Sequence, residues 1–193
     1  MSKSEQDRPL RADAERTVRT ILEVAERVLS EDPTASLGQI ATAAGVARTT
    51  IHRRFSSRDA LIDAMAGFAY RQVADAIEAG RPQTAPPLVA LHQITANVVQ
   101  IKSAWRFTIG DQVPDDPEAA AVREGIFDAC LKLLDRAQQA GVLRADVDLI
   151  WARRVYHLLL EQAAEELAIR GGDPDAFAET VVNTLLHGLG QPS

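Results

Sequence analysis

Cysteine is nearly absent from this chain. With Cys130 alone among 193 residues, an internal disulfide framework and a multi-cysteine zinc site are both excluded. A lone cysteine in such a sequence reads as a small buried core residue, with a redox role as the lesser alternative. Aromatic residues are also scarce, at 5% of the chain with two Trp and two Tyr, so the core must be built largely from aliphatic side chains. No apolar run approaches the roughly 18 residues of a membrane span. The polar start MSKSEQDRPLRADAER lacks the apolar stretch of a signal peptide, so the expected location is the cytoplasm, with no membrane partner. Alternation of the kind that marks strands is missing too, as are repeats and low-complexity segments. The length suits one medium domain, or a small domain joined to a larger one.

Net charge is −6, which at first argues against a nucleic-acid partner. The distribution says otherwise. Through Arg58 there are ten Lys/Arg against eight acids, and the remainder holds eleven against nineteen. From Gln39 to Arg58 there are four arginines and no acid. Phosphate contact depends on local charge, so this segment is compatible with DNA whatever the global balance.

That segment also has the richest local pattern, SLGQIATAAGVARTTIHRRF over 36–55. Ser36 with Gln39 three residues later forms a capping box that starts a helix. Leu37, Ile40, Ala41 and Ala44 give it one apolar face. Gly45 suits the tight turn between crossing helices, because glycine reaches left-handed backbone angles cheaply. In the second helix Ile51 and Phe55 turn inward, leaving Arg48, Thr49, His52 and Arg53 outward. Such a set carries positive charge and donates hydrogen bonds, as a helix in a major groove requires. Solvated helix charges are the plain alternative for the arginines, and tolerated helix-start residues for Thr49 and Thr50.

The rest reads as helix. A first helix is expected over about 12–30, with Val18, Ile21, Leu22, Ala25, Val28 and Leu29 as its buried stripe. Ser56-Ser57-Arg58-Asp59 opens a helix running to about Ala79, and GRPQTAPP over 80–87 breaks the chain. Further helices are expected over about 88–103, in a short piece around Trp105–Ile109, from Asp116-Pro117 to Gly141, over about 147–170, and from Asp173-Pro174 to near Gly188. The fold class is therefore all-α with about nine helices. The expected organisation is a flexible tail over 1–11, a helix-turn-helix domain over 12–58, a connecting helix over 59–80, and an effector-binding and dimerisation domain over 81–193.

The last two long helices are apolar on more than one side, which calls for more than one cover. A homodimer through an intermolecular four-helix bundle is expected, with Val155, Leu158, Leu159, Gln162, Val181 and Leu185 at the interface. For a small-molecule pocket the candidates are His92, Trp105, Phe107, Phe127, Trp151 and Tyr156, which mix apolar bodies with polar tips. The alternative for each is plain core filling. Asn97, Gln100 and Gln162 either orient a ligand or are exposed. Because few charges interrupt the expected buried faces, an uncharged or hydrophobic effector is favoured. His157 and Glu161 have a metal-ligand spacing but no companion pair, so no metal and no cofactor is expected. No nucleophile elbow, phosphate loop or Cys/His arrangement points to catalysis, and an enzyme is not expected.

The segment SLGQIATAAGVARTTIHRRFSSRDALIDAM resembles the amino-terminal pattern of TetR-family (TetR/AcrR-like) transcriptional regulators. AGVLRADVD before the penultimate helix extends the likeness more loosely. The resemblance implies a homodimer bound to a palindromic operator in double-stranded DNA, usually a repressor, released by a small molecule held in the second set of helices. It implies that Arg48, Thr49, Thr50, His52 and Arg53 face the groove while Ser36 and Arg58 hold phosphates. Two departures stand out: His52 replaces a usual tyrosine, and Arg54 replaces a frequent His or Tyr before the closing Phe. A histidine at such a contact would make it sensitive to pH near neutrality. The runner-up reading is a helical small-molecule binding protein without specific DNA binding.

Overall fold

The computed structural model describes residues 3–109 and 116–189, and side chains from Asp13 to His187. Among these residues there are eight helices and no strand: α1 (Lys3–Glu31), α2 (Leu37–Ala43), α3 (Arg48–Arg54), α4 (Arg58–Ala79), α5 (Pro87–Ala104), α6 (Pro117–Gln139), α7 (Leu149–Arg170) and α8 (Pro174–Leu189). The count is close to the nine expected. The short helix expected near Trp105–Ile109 is a turn segment, closed by Ile109 N–H donating to Trp105 O at 2.8 Å. α1 starts at Lys3, well before the expected Ala12, and runs through Pro9 although that residue lacks an amide donor. Met1 and Ser2 of the expected tail, and residues 110–115, lie outside the described residues.

The chain divides into two compact units, Met1–Ala66 and Gly67–Ser193, so the division falls inside α4. In the first unit α2 and α3 have seven residues each, too short to persist alone in water. Packing holds them. Ile21, Leu22, Ala25 and Leu29 of α1, Ile40 of α2, Ile51 and Phe55 around α3, and Leu61 and Met65 of α4 are all buried, and α2 packs on both α1 and α3. Each fully buried aliphatic of this kind contributes about 1.5–3 kcal/mol.

In the second unit α5 is the central helix, packed against α6, α7 and α8. Its start has no side-chain cap, but Pro87 occupies the first turn, where a missing amide costs nothing. Asp116 and Asp148 cap α6 and α7 by accepting from Ala119 N at 2.8 Å and Trp151 N at 2.7 Å. Arg136 of α6 donates to the carbonyls of Pro82 and Ala85, which fastens the proline-rich α4–α5 connection. Gln138 does the same for the α6–α7 turn, donating to Arg144 O at 2.9 Å and Val147 O at 3.0 Å.

Candidate functional site

The α2–α3 turn is built as its residues require. Ser36 Oγ accepts from Gln39 N at 3.3 Å, and Gln39 Oε1 accepts from Ser36 N at 2.9 Å, completing the capping box. Gly45 sits at φ +67°, with its N–H donating to Thr42 O and that of Val46 to Ala41 O. This closure sets the angle at which α3 leaves α2. Burial of Ile51 and Phe55 then fixes the roll of α3, so that Arg48, Thr49, His52, Arg53 and Arg54 are exposed and Thr50 is half-buried. No described residue forms an ion pair with Arg53 or Arg54. His52, Arg53 and Arg54 also fill the last turn of α3, where positive charge complements the helix dipole. Arg48 lies against α2, its Nη2 only 2.8 Å from where a Cβ on Gly38 would be.

Two residues expected at phosphates are engaged within the protein. Ser36 Oγ donates to Gln39 Oε1 at 2.7 Å. Arg58 donates through Nε to Ala35 O at 3.3 Å and through Nη2 to Pro33 O, bracing the α1–α2 connection from the start of α4. Asp32 in that connection accepts from the hydroxyl and amide of Thr34. The Thr34 hydroxyl, then its amide, and last the Arg58 charge hold the Asp32 carboxyl below the usual carboxylate range.

The second unit contains a largely apolar cavity of about 80 Å³ between α4, α5, α6 and α7. Val73 and Ile77 of α4, Ile94 and Val98 of α5, Ile126 and Leu133 of α6 and Leu160 of α7 form its apolar wall. Its polar groups are Tyr70, Lys102, Arg123, Cys130, Arg153, Tyr156 and His157. Thr95 Oγ1 spends its one proton on Leu91 O at 2.6 Å, so the Tyr156 hydroxyl is the donor in the 2.7 Å bond between them. Burial pushes the Tyr156 phenol up, Cys130 adds to this, and the Thr95 bond offsets part of it. Cys130 keeps one flank open to the cavity, yet its thiol is surrounded by protein. Burial pushes it up to about 12, against a smaller pull from Arg153.

Of the six residues expected in the pocket, Phe127 and Tyr156 line it. Trp105 is buried against Phe68 instead, with ring centroids 5.3 Å apart, and Phe107 is half-buried off the cavity wall. His92 borders a shallow groove with Leu88, Val89 and Asp175. Trp151 is 58% exposed, because α7 turns Ala152 and Tyr156 inward on the adjacent faces. Asn97 donates to Ala76 O at 3.4 Å, and Gln100 and Gln162 are exposed. The expectation of few charges near the ligand is corrected by Lys102, Arg123 and Arg153. Their signal was the i, i+4 rows Ile94-Val98-Lys102, Arg123-Phe127 and Arg153-His157, each of which places a cation beside an apolar wall. Glu161 Oε1 lies 3.5 Å from His157 Nε2 and also meets the ammonium of Lys102.

The residues expected at a dimer interface divide in two. Leu158 and Gln162 are exposed, and Val155 and Leu159 are half-buried on neighbouring positions of α7. Ile150, Trp151 and Ile169 add further exposed apolar surface to this helix. Val181 and Leu185 are corrected: they are 4% and 1% exposed within one protomer. α8 packs on α5 and α7, and among its described side chains Phe177 and Leu186 are half-buried.

Comparison with known proteins agrees with this architecture. The sequence pattern of bacterial regulatory proteins of the tetR family matches residues 21–65, which covers the helix-turn-helix. The HTH-type transcriptional repressor LfrR of Mycolicibacterium smegmatis is 34% identical over 176 residues, 91% of each chain. The HTH-type transcriptional regulator NfxB of Pseudomonas aeruginosa is 27% identical over 168 residues, 83% of this chain and 88% of its own. The crystal structure of LfrR in complex with proflavine superposes with a TM-score of 0.75 at 31% identity, covering 92% of this chain and 98% of that one. The acid-free outer face of α3, the helical unit with its cavity and a likeness that spans both units lead to one assignment: this chain belongs to the tetR family of bacterial regulatory proteins.

Proposed function

We propose that the chain represses transcription as a homodimer, holding a palindromic operator through the two copies of α3 and releasing it when a small molecule fills the cavity between α4 and α7. The observation that carries this reading is the exposed row Arg48, Thr49, His52 and Arg53, displayed on a helix whose other face is locked into the core. Arginine reads guanine bidentately or neutralises phosphate, and both are open to side chains on this face. Ser36 and Arg58 stiffen the frame around that helix; as phosphate ligands they would use what their internal bonds leave over. The exposed apolar surface of α7 supports the dimer, since a large exposed apolar patch marks an interaction surface. A dimer places two recognition helices about one helical turn of DNA apart, roughly 34 Å, as a palindrome demands. The protein acts where the DNA is, in the cytoplasm.

A gel-shift screen of the promoter regions flanking its own gene tests the reading. A discrete shift with at least one region, competed poorly by unrelated duplex, is expected. The absence of any shift at low salt would leave the alternative, a helical small-molecule binding protein without specific DNA binding.

A further inference from the structure

The cavity wall carries the positive charges of Lys102, Arg123 and Arg153; His157 lines it too, and no aspartate or glutamate does. Glu161, which meets both Lys102 and His157, answers part of that charge. The two arginines are less well matched. Glu124 reaches Arg123 only at 4.0 Å and is mostly exposed to solvent. Arg153 forms no ion pair among the described residues. Its guanidinium carbon lies 4.4 Å from the centroid of the Phe127 ring, and that of Arg123 lies 4.5 Å from the same centroid. The two guanidinium carbons are therefore within about 9 Å of each other.

Two like charges this close, beside an apolar cavity, raise each other's energy. A lysine or histidine would answer by giving up its proton, but arginine keeps its charge under all working conditions. The Phe127 ring face offsets part of this, and an anion, which guanidinium groups bind through short, charge-assisted hydrogen bonds, would offset more. A cation of equal size would add to the repulsion.

We propose that the pocket selects an apolar molecule carrying one anionic oxygen group, with the anion against Arg123 and Arg153 and the body among Val73, Ile94, Val98 and Leu133. The selection rests on the cavity being the effector site. It concerns the charge of the ligand, a property the fold leaves open and these two arginines decide.

Three fluorescent probes on the full-length protein test it. Anilinonaphthalene sulfonate is an anion, N-phenyl-1-naphthylamine has the same rings without the sulfonate, and proflavine is a planar cation. The sulfonate probe is expected to bind at least fivefold more tightly than either of the others. In Arg153→Met and Arg123→Met, which retain apolar volume, its advantage over the neutral probe is expected to fall at least threefold. Binding of the neutral probe itself reports whether the variants keep the cavity. A smaller preference in the wild type, no binding of the sulfonate probe, or an advantage that both variants preserve overturns the proposal. Operator binding by the same preparation without probe is measured separately, so the regulator reading stands or falls on its own.

Discussion

The ammonium of Lys102 on α5 meets the carboxylate of Glu161 on α7, joining the two helices at the wall of the cavity. Lys102 is 7% exposed, whereas a third of the Glu161 side chain reaches solvent. Removing one partner leaves the other charge poorly compensated. Glu161→Gln is expected to destabilise the protein by about 2–3 kcal/mol, below the 3–5 of a fully buried pair because of that exposure. For a chain of this length this corresponds to a melting temperature lowered by roughly 4–12 °C. Thermal denaturation of the ligand-free protein checks it, and Lys102→Met combined with Glu161→Leu should recover most of the loss.

Gly80 makes a different contact with the same helix. A Cβ placed there would stand 2.3 Å from Cγ1 of Ile94, a residue of the cavity wall. Gly80→Ala must push α5 or the Ile94 side chain aside, and overpacking of this kind costs about 1–3 kcal/mol. The expected result is a lower melting temperature together with altered probe affinity. Gly125→Ala, where nothing stands within 4 Å, serves as the control and should not destabilise.

Leu158 and Val181 separate assembly from folding. Leu158 is 66% exposed and Val181 4%. Leu158→Arg is expected to give a folded monomer by analytical ultracentrifugation that has lost tight operator binding, since one protomer reads only a half-site. Val181→Arg buries an unpaired charge in the α5–α8 packing and is expected to lose helical circular dichroism instead. A dimeric Leu158→Arg protein would place the interface elsewhere.

The turn chemistry was legible because it is local: Ser36 and Gln39 are three residues apart, and Gly45 bears the positive φ that its position requires. The outward set of α3 followed from the spacing of Ile51 and Phe55. What spacing cannot convey is which apolar face meets which neighbour. α8 carries two candidate stripes, and only its packing on α5 shows that Val181 and Leu185 are spent inside the protomer. Trp105 and Phe127 look alike as ligand candidates, yet one is buried on Phe68 and the other lines the cavity. The bond from Arg58 to Pro33 O spans 25 positions, out of reach of any local pattern.

Cys130 and Tyr156 make the protein sensitive to alkali. Both groups are held in their neutral forms by burial, so the folded state binds their protons more tightly than the unfolded chain. Their stabilising contribution is complete below the ordinary thiol value of 9.0 and declines as pH rises from there toward about 12. The melting temperature should hold up to about pH 9 and fall above it, with a shallower fall in Cys130→Ala. Ellman's reagent at pH 8 should react far more slowly with the native protein than with the denatured chain, because the thiolate is the reactive form.

Arg53 stands at the centre of the exposed face with which α3 would read an operator. Fluorescence anisotropy of a footprinted duplex from the flanking promoter, titrated over a range of salt, compares the wild type with Arg53→Ala. The wild type should bind as a dimer at least about 10³-fold more tightly than to a scrambled duplex. In the variant, affinity should fall by about 1–3 kcal/mol per half-site. A salt slope flattened by about 1.8 per dimer marks a phosphate contact; an unchanged slope with relaxed preference at one symmetric base-pair position marks a groove contact. Equal affinity for the promoter and scrambled duplexes, or an Arg53→Ala protein that binds like the wild type, would mean that α3 does not read an operator through this face.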